Sequence, residues 1–433
     1  KEMKKIFLLL WCSCMFIPLY SSPMTLTQES MMSAIRMNNS ELIELQQHLI
    51  QTDLDVKQAK ASRFGSLEAS LGFQYMANPP LFITSNTQFD SALTYTLPLF
   101  TFGKINASID LYESLHLVKS AQLREKESIL HSEITSLNST LYHLSTIISL
   151  LEEEKTIAEK ILIISKNSLD VGLITALDYN ETIREVLSID QALIESQFQK
   201  DEVINKLEKL TSMKDINHSI IRDTTTLSEI MSFIDTPMNT LIEMAHKSVM
   251  PIMSSLENAE RASFALYDIA KGNLYGKPDL ALQFTLGFNG PRIPFIETGW
   301  QDQDDYTFNI SVGMQSNLFD GRKAVTEARK AESDIIIQHA KTLDAKNTIE
   351  AEIKTYRNNI LTYLQLISII DQKISMLDEK TYSLEKEIEE GFTHESTLLT
   401  HQMTSIQELI QKEQTLLKIK LAHFSLLHIT TPY

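Results

Sequence analysis

At 433 residues the chain is long enough for two or three domains, yet it holds only 12 glycines and 11 prolines, which is low for that length and implies long, uninterrupted elements. Its formal charge of −17 becomes more negative without residues 1–23, which contribute Lys1, Lys4 and Lys5 against Glu2. So acidic a body repels a phosphate backbone and lacks the basic stripe that nucleic-acid binding needs.

The amino terminus reads as an export signal with Met3 as its expected start. Met3, Lys4 and Lys5 precede the apolar run Ile6 to Ile17, followed by Pro18 and the small Ser21 and Ser22. The run is too short to span a bilayer, and residues 1–22 are assigned to a leader, with a buried amino-terminal helix as the alternative. Cys12 and Cys14 are the only cysteines and both lie inside it, so the mature chain has neither thiol nor disulfide. Cys14 as a lipid-attachment residue is a further alternative, opposed by Trp11 and Cys12 where small apolar residues would be expected.

After the leader, Thr25 caps a helical stretch to about Ser62 that Asn38-Asn39-Ser40 interrupts once. Leu67, Ala69, Leu71, Phe73 and Tyr75 then alternate with polar or small residues, predicting a strand at about 67–76. Asn78-Pro79-Pro80 breaks it, and a second strand follows at about 89–98. Leu99, Phe100 and Gly103 form a turn into a helix at about 103–169. At about 1.5 Å per residue such a helix would reach roughly 100 Å. Its apolar residues Ile134, Leu137, Leu141, Leu144, Ile148 and Leu151 step by threes and fours, a heptad seam rather than a broad stripe. Gly172 ends it, and Thr175 with Asp178, at capping-box spacing, starts another helix over 175–212.

Residues 215–235 read as a polar connector, after which the order recurs. A helix runs from Pro237 to about Gly272, with Met250-Pro251 standing where Asn39-Ser40 stood. Strands follow at about 279–288 and 305–316, with Ser70-Leu71-Gly72-Phe73 echoed by Thr285-Leu286-Gly287-Phe288. Leu318, Phe319 and Gly321 repeat the turn. A long helix at about 321–390 carries an unbroken seam from Ile353 to Ile388, Gly391 ends it, and a last helix spans 396–428. Two structural repeats, 23–214 and 236–433, thus account for the mature chain.

Four strands of this length, apolar on one face and polar on the other, match transmembrane strands; a soluble sheet half covered by helices is the alternative. Four cannot close a barrel, and an open edge cannot sit in lipid because its amide and carbonyl groups would go unpaired. The barrel must therefore be shared between copies. Two copies would give eight strands, and three would give twelve and an aqueous lumen. The loops at 76–88 and 289–305 should face the side of the membrane opposite the helices, because the other strand ends join them.

The duplicated order, the Leu-Phe turns ending in glycine, and the Gly172-Leu173-Ile174-Thr175 tip resemble the TolC-like outer-membrane efflux protein family over essentially the whole mature chain. The resemblance implies a mixed α and β membrane protein, a trimer with a twelve-strand β-barrel continued by a long α-helical barrel, in the outer membrane and spanning into the periplasm. Its implied partners are a periplasmic adaptor (membrane fusion protein) and an inner-membrane RND or ABC transporter, as in tripartite efflux or type I secretion. It also implies that the two hairpin tips form the periplasmic entrance. Asp178 matches an acidic acceptor at the first tip. At the second, the arginine and two aspartates that latch well-known members are replaced by Thr393, Thr397 and Thr400, so that charged latch is absent. Glu389, Glu390 and Glu395 beside Gly391 would give the entrance a negative potential, or are solvated helix-end charges.

Enzymatic chemistry finds no footing. The 11 histidines form no HExxH pair, no Gly-x-Ser-x-Gly turn occurs, and no phosphate-binding loop or cofactor motif is present. Glu152-Glu153-Glu154 is read as a solvated helix face. An exported coiled-coil structural protein would leave the strands unexplained. A periplasmic adaptor should carry a compact Gly-rich β domain, which is not found.

Overall fold

The computed structural model describes residues 28–75, 77, 87–213, 225–247, 249–290, 298, 306–316 and 318–431. The leader at 1–22, the cap expected at Thr25 and most of the loops at 76–88 and 289–305 lie outside the described residues.

In chain order the elements are α1 (Gln28–Asn38), α2 (Ser40–Ala61), β1 (Ser66–Tyr75), β2 (Thr87–Phe100), α3 (Lys104–Asp170), α4 (Ala176–Thr211), α5 (Leu227–Ile234), α6 (Met238–Ala245), α7 (Pro251–Gly272), β3 (Asp279–Gly290), β4 (Tyr306–Gln315), α8 (Lys323–Glu389) and α9 (Glu395–Thr430). Local chemistry sets the breaks. Asn39 separates α1 from α2 by accepting the Glu41 and Leu42 amides, both at 3.1 Å, and Pro251 occupies the first turn of α7, where its missing N–H costs nothing. The order of helix, two strands, long helix and shorter helix occurs twice with equal helix lengths: 22 residues in α2 and α7, 67 in α3 and α8, 36 in α4 and α9.

Two differences from the sequence reading have physical causes. The supposed polar connector at 215–235 contains α5, capped by Thr226 with Glu229 in a capping box and anchored by buried Ile230 and Ile234. The polar run before it masked an eight-residue amphipathic turn. Leu99 and Phe100, expected in a turn, are strand residues. An irregularity between Pro98 and Phe100 absorbs the amide that proline lacks, and the ladder resumes with Phe100 opposite Leu280.

Two compact units can be distinguished. The first, Asn39–Glu133, Thr225–Ser368 and Lys418–Tyr433, holds the sheet. Its four strands run antiparallel in the order β1-β2-β3-β4. The register stacks Leu71, Ser91, Phe288 and Tyr306 across one face, with Phe308, Ile310, Val312 and Met314 continuing that face on β4. This apolar face is open: Leu71 is 79% exposed and Phe308 69%. Helix α7 packs on α3 through Leu111, Ala262 and Ala265. Beside it, the Arg357 guanidinium donates to the Ile234 carbonyl that ends α5, and Phe233 meets the His423 ring edge-on at 5.4 Å. Burial holds the His423 imidazole down to about 4, slightly opposed by the Glu229 charge.

The second unit, Lys1–Asn38, Ile134–Thr224 and Ile369–Leu417, holds the turns at Gly172 and Gly391. Its core joins Ile157, Ala158 and Ile161 of α3, Ile189 of α4 and Leu399, Met403 and Ile406 of α9. Upstream on α3, Ile134, Leu141, Leu144, Ile148 and Leu151 of the expected seam are buried as well.

Candidate functional site

Three groups of residues carry the candidate site: the polar face of the sheet, the strand-to-helix turns and the hairpin tips. On the polar face, the charged side chains among the alternate strand residues that point away from the apolar face are Glu68, Asp90 and, at the start of β3, Asp279, and all three are acidic. Gln88 donates to Asn289 at 2.9 Å and reaches Asp90 at 3.4 Å, tying the strands together on that face.

Each strand-to-helix turn needs a pair of left-handed residues, and glycine supplies one of them. At the first, Phe102 (φ 50) precedes Gly103 (φ 82); at the second, Gly321 (φ 67) precedes Arg322 (φ 72). Lys104 at the start of α3 forms an ion pair with Asp279 at 2.5 Å, its stem lying against Gly272. At the second turn the Tyr275 hydroxyl donates to Asp320, whose other oxygen accepts the Ala324 amide at 2.9 Å, and the Arg322 amide donates to the Tyr275 oxygen at 3.2 Å. The Tyr275 hydroxyl, with the backbone amides behind it, holds the Asp320 carboxyl below the usual carboxylate range. Leu318 and Phe319 beside it are 86% and 82% exposed.

Both tips close the same way. Gly172 (φ 75) donates to the Leu169 carbonyl and Leu173 to that of Ser168; Gly391 (φ 80) donates to Ile388 and Phe392 to Glu387. At the first tip, Thr175 Oγ1 accepts the Asp178 amide at 3.2 Å while the Asp178 carboxylate accepts the Thr175 amide at 2.9 Å and its hydroxyl at 2.8 Å. That backbone amide is the main reason the Asp178 carboxyl sits below its ordinary value. One of its oxygens is therefore engaged within its own cap. At the second tip Glu389, Glu390 and Glu395 are exposed. Thr393 donates to Glu387 at 2.8 Å, Thr400 donates to the Ser396 carbonyl at 2.9 Å, and the Thr397 amide donates to the His394 carbonyl at 3.0 Å. Among the described residues no three His, Cys, Asp or Glu side chains gather as metal ligands would.

A set of buried polar ties escaped the sequence reading. Glu154, taken for a solvated face together with Glu152 and Glu153, is 3% exposed, whereas the other two are open to solvent. Gln407 of α9 donates to it at 2.8 Å, and burial raises its carboxyl above the usual value, with a further push from Glu185. His143 Nδ1 lies 2.7 Å from Glu413, also across α3 and α9. The available signal was positional. Glu154 falls three residues after Leu151, on the seam itself, where a solvated side chain does not fit.

The family model described as outer membrane efflux protein matches residues 31–212. No curated protein matches the chain. Among solved structures, the outer-membrane channel OprN is 14% identical, with 94% of this chain and 90% of that one covered at a TM-score of 0.78. The CmeC outer membrane channel of Campylobacter jejuni is 14% identical over 93% of this chain and 84% of that one, TM-score 0.75. The outer membrane protein VceC of Vibrio cholerae is 14% identical over 93% and 94%, TM-score 0.75. At these identities the likeness is one of fold, and it extends through both halves of the chain.

Proposed function

We propose that this TolC-like outer-membrane efflux protein, seated in the outer membrane and extending into the periplasm, is the passive export duct of a tripartite efflux or type I secretion system. One observation carries the reading: a four-stranded sheet that is apolar and open on one face, polar on the other, and without a further strand at either edge among the described residues. Lipid satisfies the first face and an aqueous lumen the second, while the edges call for further copies of the same sheet. Three copies make a twelve-strand barrel wide enough for water, and each of the two structural repeats of a chain contributes one helix hairpin to a helical barrel.

In this reading the tips at Gly172 and Gly391 form the periplasmic entrance. Glu389, Glu390 and Glu395 give it a negative potential that favours cations. With threonines at 393, 397 and 400, closure relies on something other than an arginine–aspartate latch. A periplasmic adaptor and an inner-membrane RND or ABC transporter would supply the docking and the energy, since the chain carries no nucleotide-binding motif.

The test is conductance of the purified mature protein in planar bilayers together with its mass in detergent. A particle of three copies giving small, cation-preferring currents is expected. A monomer that stays soluble without detergent and conducts nothing would overturn the reading.

A further inference from the structure

The outer edges of the sheet are β1 and β4, and among the described residues no further strand pairs with either. Every residue of β1 is exposed, and so is every residue of β4 except Ser311. Each strand has ten residues. An edge strand offers its outward amides and carbonyls to a neighbouring strand, and a slip of one residue would turn every apolar side chain to the polar face.

We propose that β4 of one copy pairs antiparallel with β1 of the next in a single register, with Tyr306 opposite Tyr75, Asn309 opposite Gly72, Ser311 opposite Ser70 and Gln315 opposite Ser66. The inference rests on the shared-barrel reading above and specifies the seam between copies. The chain already contains the equivalent seam, between β2 and β3. Matching Ser70-Leu71-Gly72-Phe73 to Thr285-Leu286-Gly287-Phe288 places β1 on β3, and the observed β1·β2 and β3·β4 registers then place Phe89 on Tyr306 and Leu93 on Ile310. The observed pairs Phe89 with Gly290 and Leu93 with Leu286 translate into Tyr306 with Tyr75 and Ile310 with Leu71. Side chains meet their own kind throughout: aromatic and aliphatic residues on the lipid face, small and polar ones on the other.

A competing register exists and is specific. Aligning the two halves on their turns, Leu99 with Leu318, instead of on the strands shifts the seam by four residues and sets Ser311 opposite Gln74. Facing residues lie about 4.5–5.5 Å apart at Cα, within disulfide reach, and four residues along a strand is about 13 Å, beyond it.

The experiment uses Ser70→Cys with Ser311→Cys, and Gln74→Cys with Ser311→Cys, in the full chain in outer membranes. The natural chain has thiols only at Cys12 and Cys14, so the unsubstituted protein is the control. After oxidation and denaturing electrophoresis, the first pair should give linked species up to three copies and the second should stay unlinked. Linkage of the second pair alone overturns the register. No linkage in either, from a protein that is trimeric in detergent and conducts, also overturns it while leaving the duct reading intact. No linkage from a soluble, non-conducting monomer removes both.

Discussion

The two strand-to-helix turns face one structural problem and answer it with different chemistry. Each must lead the chain out of a strand and start a 67-residue helix, and each does so through two consecutive left-handed residues. The first spends its glycine second and the next one first. The first is fastened by an ion pair drawn from the following strand, Lys104 to Asp279, and the second by a phenol from the preceding loop, Tyr275 to Asp320. Backbone geometry is thus the shared requirement, and the fastening is whatever polar side chain the neighbouring segment offers.

The largest effect expected from breaking this comparison is at the first fastening. Lys104→Met keeps the stem against Gly272 but removes the cation, leaving Asp279, whose Oδ1 is already buried without a partner, with no charge to answer it. A loss of about 1–3 kcal/mol is expected in thermal or denaturant unfolding. No loss would mean that the ion pair is incidental and that geometry alone fastens both turns.

The glycines come next. A Cβ added at Gly103 or Gly321 meets nothing within 4 Å, so alanine there carries only the left-handed penalty, about 1–2 kcal/mol, and by the same amount at both turns. Phe102→Gly and Arg322→Gly should be close to neutral, since each relieves left-handed strain at the cost of chain entropy. Unequal costs for the two alanine variants would show that the turns differ in backbone as well as in fastening.

Tyr275→Phe should have the smallest effect and a pH signature. The hydroxyl lowers the Asp320 carboxyl, so its contribution is present above the ordinary carboxylate value and disappears as pH falls through the lowered one. Melting temperatures of the parent and the variant should differ at pH 6 and converge in strong acid. A gap that persists there would assign the effect to packing.

The comparison also explains what the amino-acid sequence discloses. Strands with one lipid face announce themselves by alternation, seams by threes and fours, and turns by glycine, because each is a local rule written within a few residues. Thr175 and Asp178 are legible for the same reason, and so is the main use of that carboxylate, since a capping box is a contact three residues long. Lys104 and Asp279 lie 175 residues apart and nothing in either segment names the other. Glu154 stands between these cases. Its place on the seam was visible, but its neighbours Glu152 and Glu153 suggested solvent, and only the arrival of Gln407 from α9 explains how a carboxylate is kept inside. Helix α5 was hidden differently, by averaging a short amphipathic turn with the polar residues in front of it.

The equal lengths of α3 and α8, and of α4 and α9, have a consequence for engineering. Two arms cut to one gauge behave as a ruler that must be recalibrated on both sides at once. Removing a heptad from α3 alone would put one tip out of step with the other, even though each remaining seam stayed intact. Removing the same heptad from all four helices would keep the gauge, so that helix length becomes an adjustable dimension of the chain.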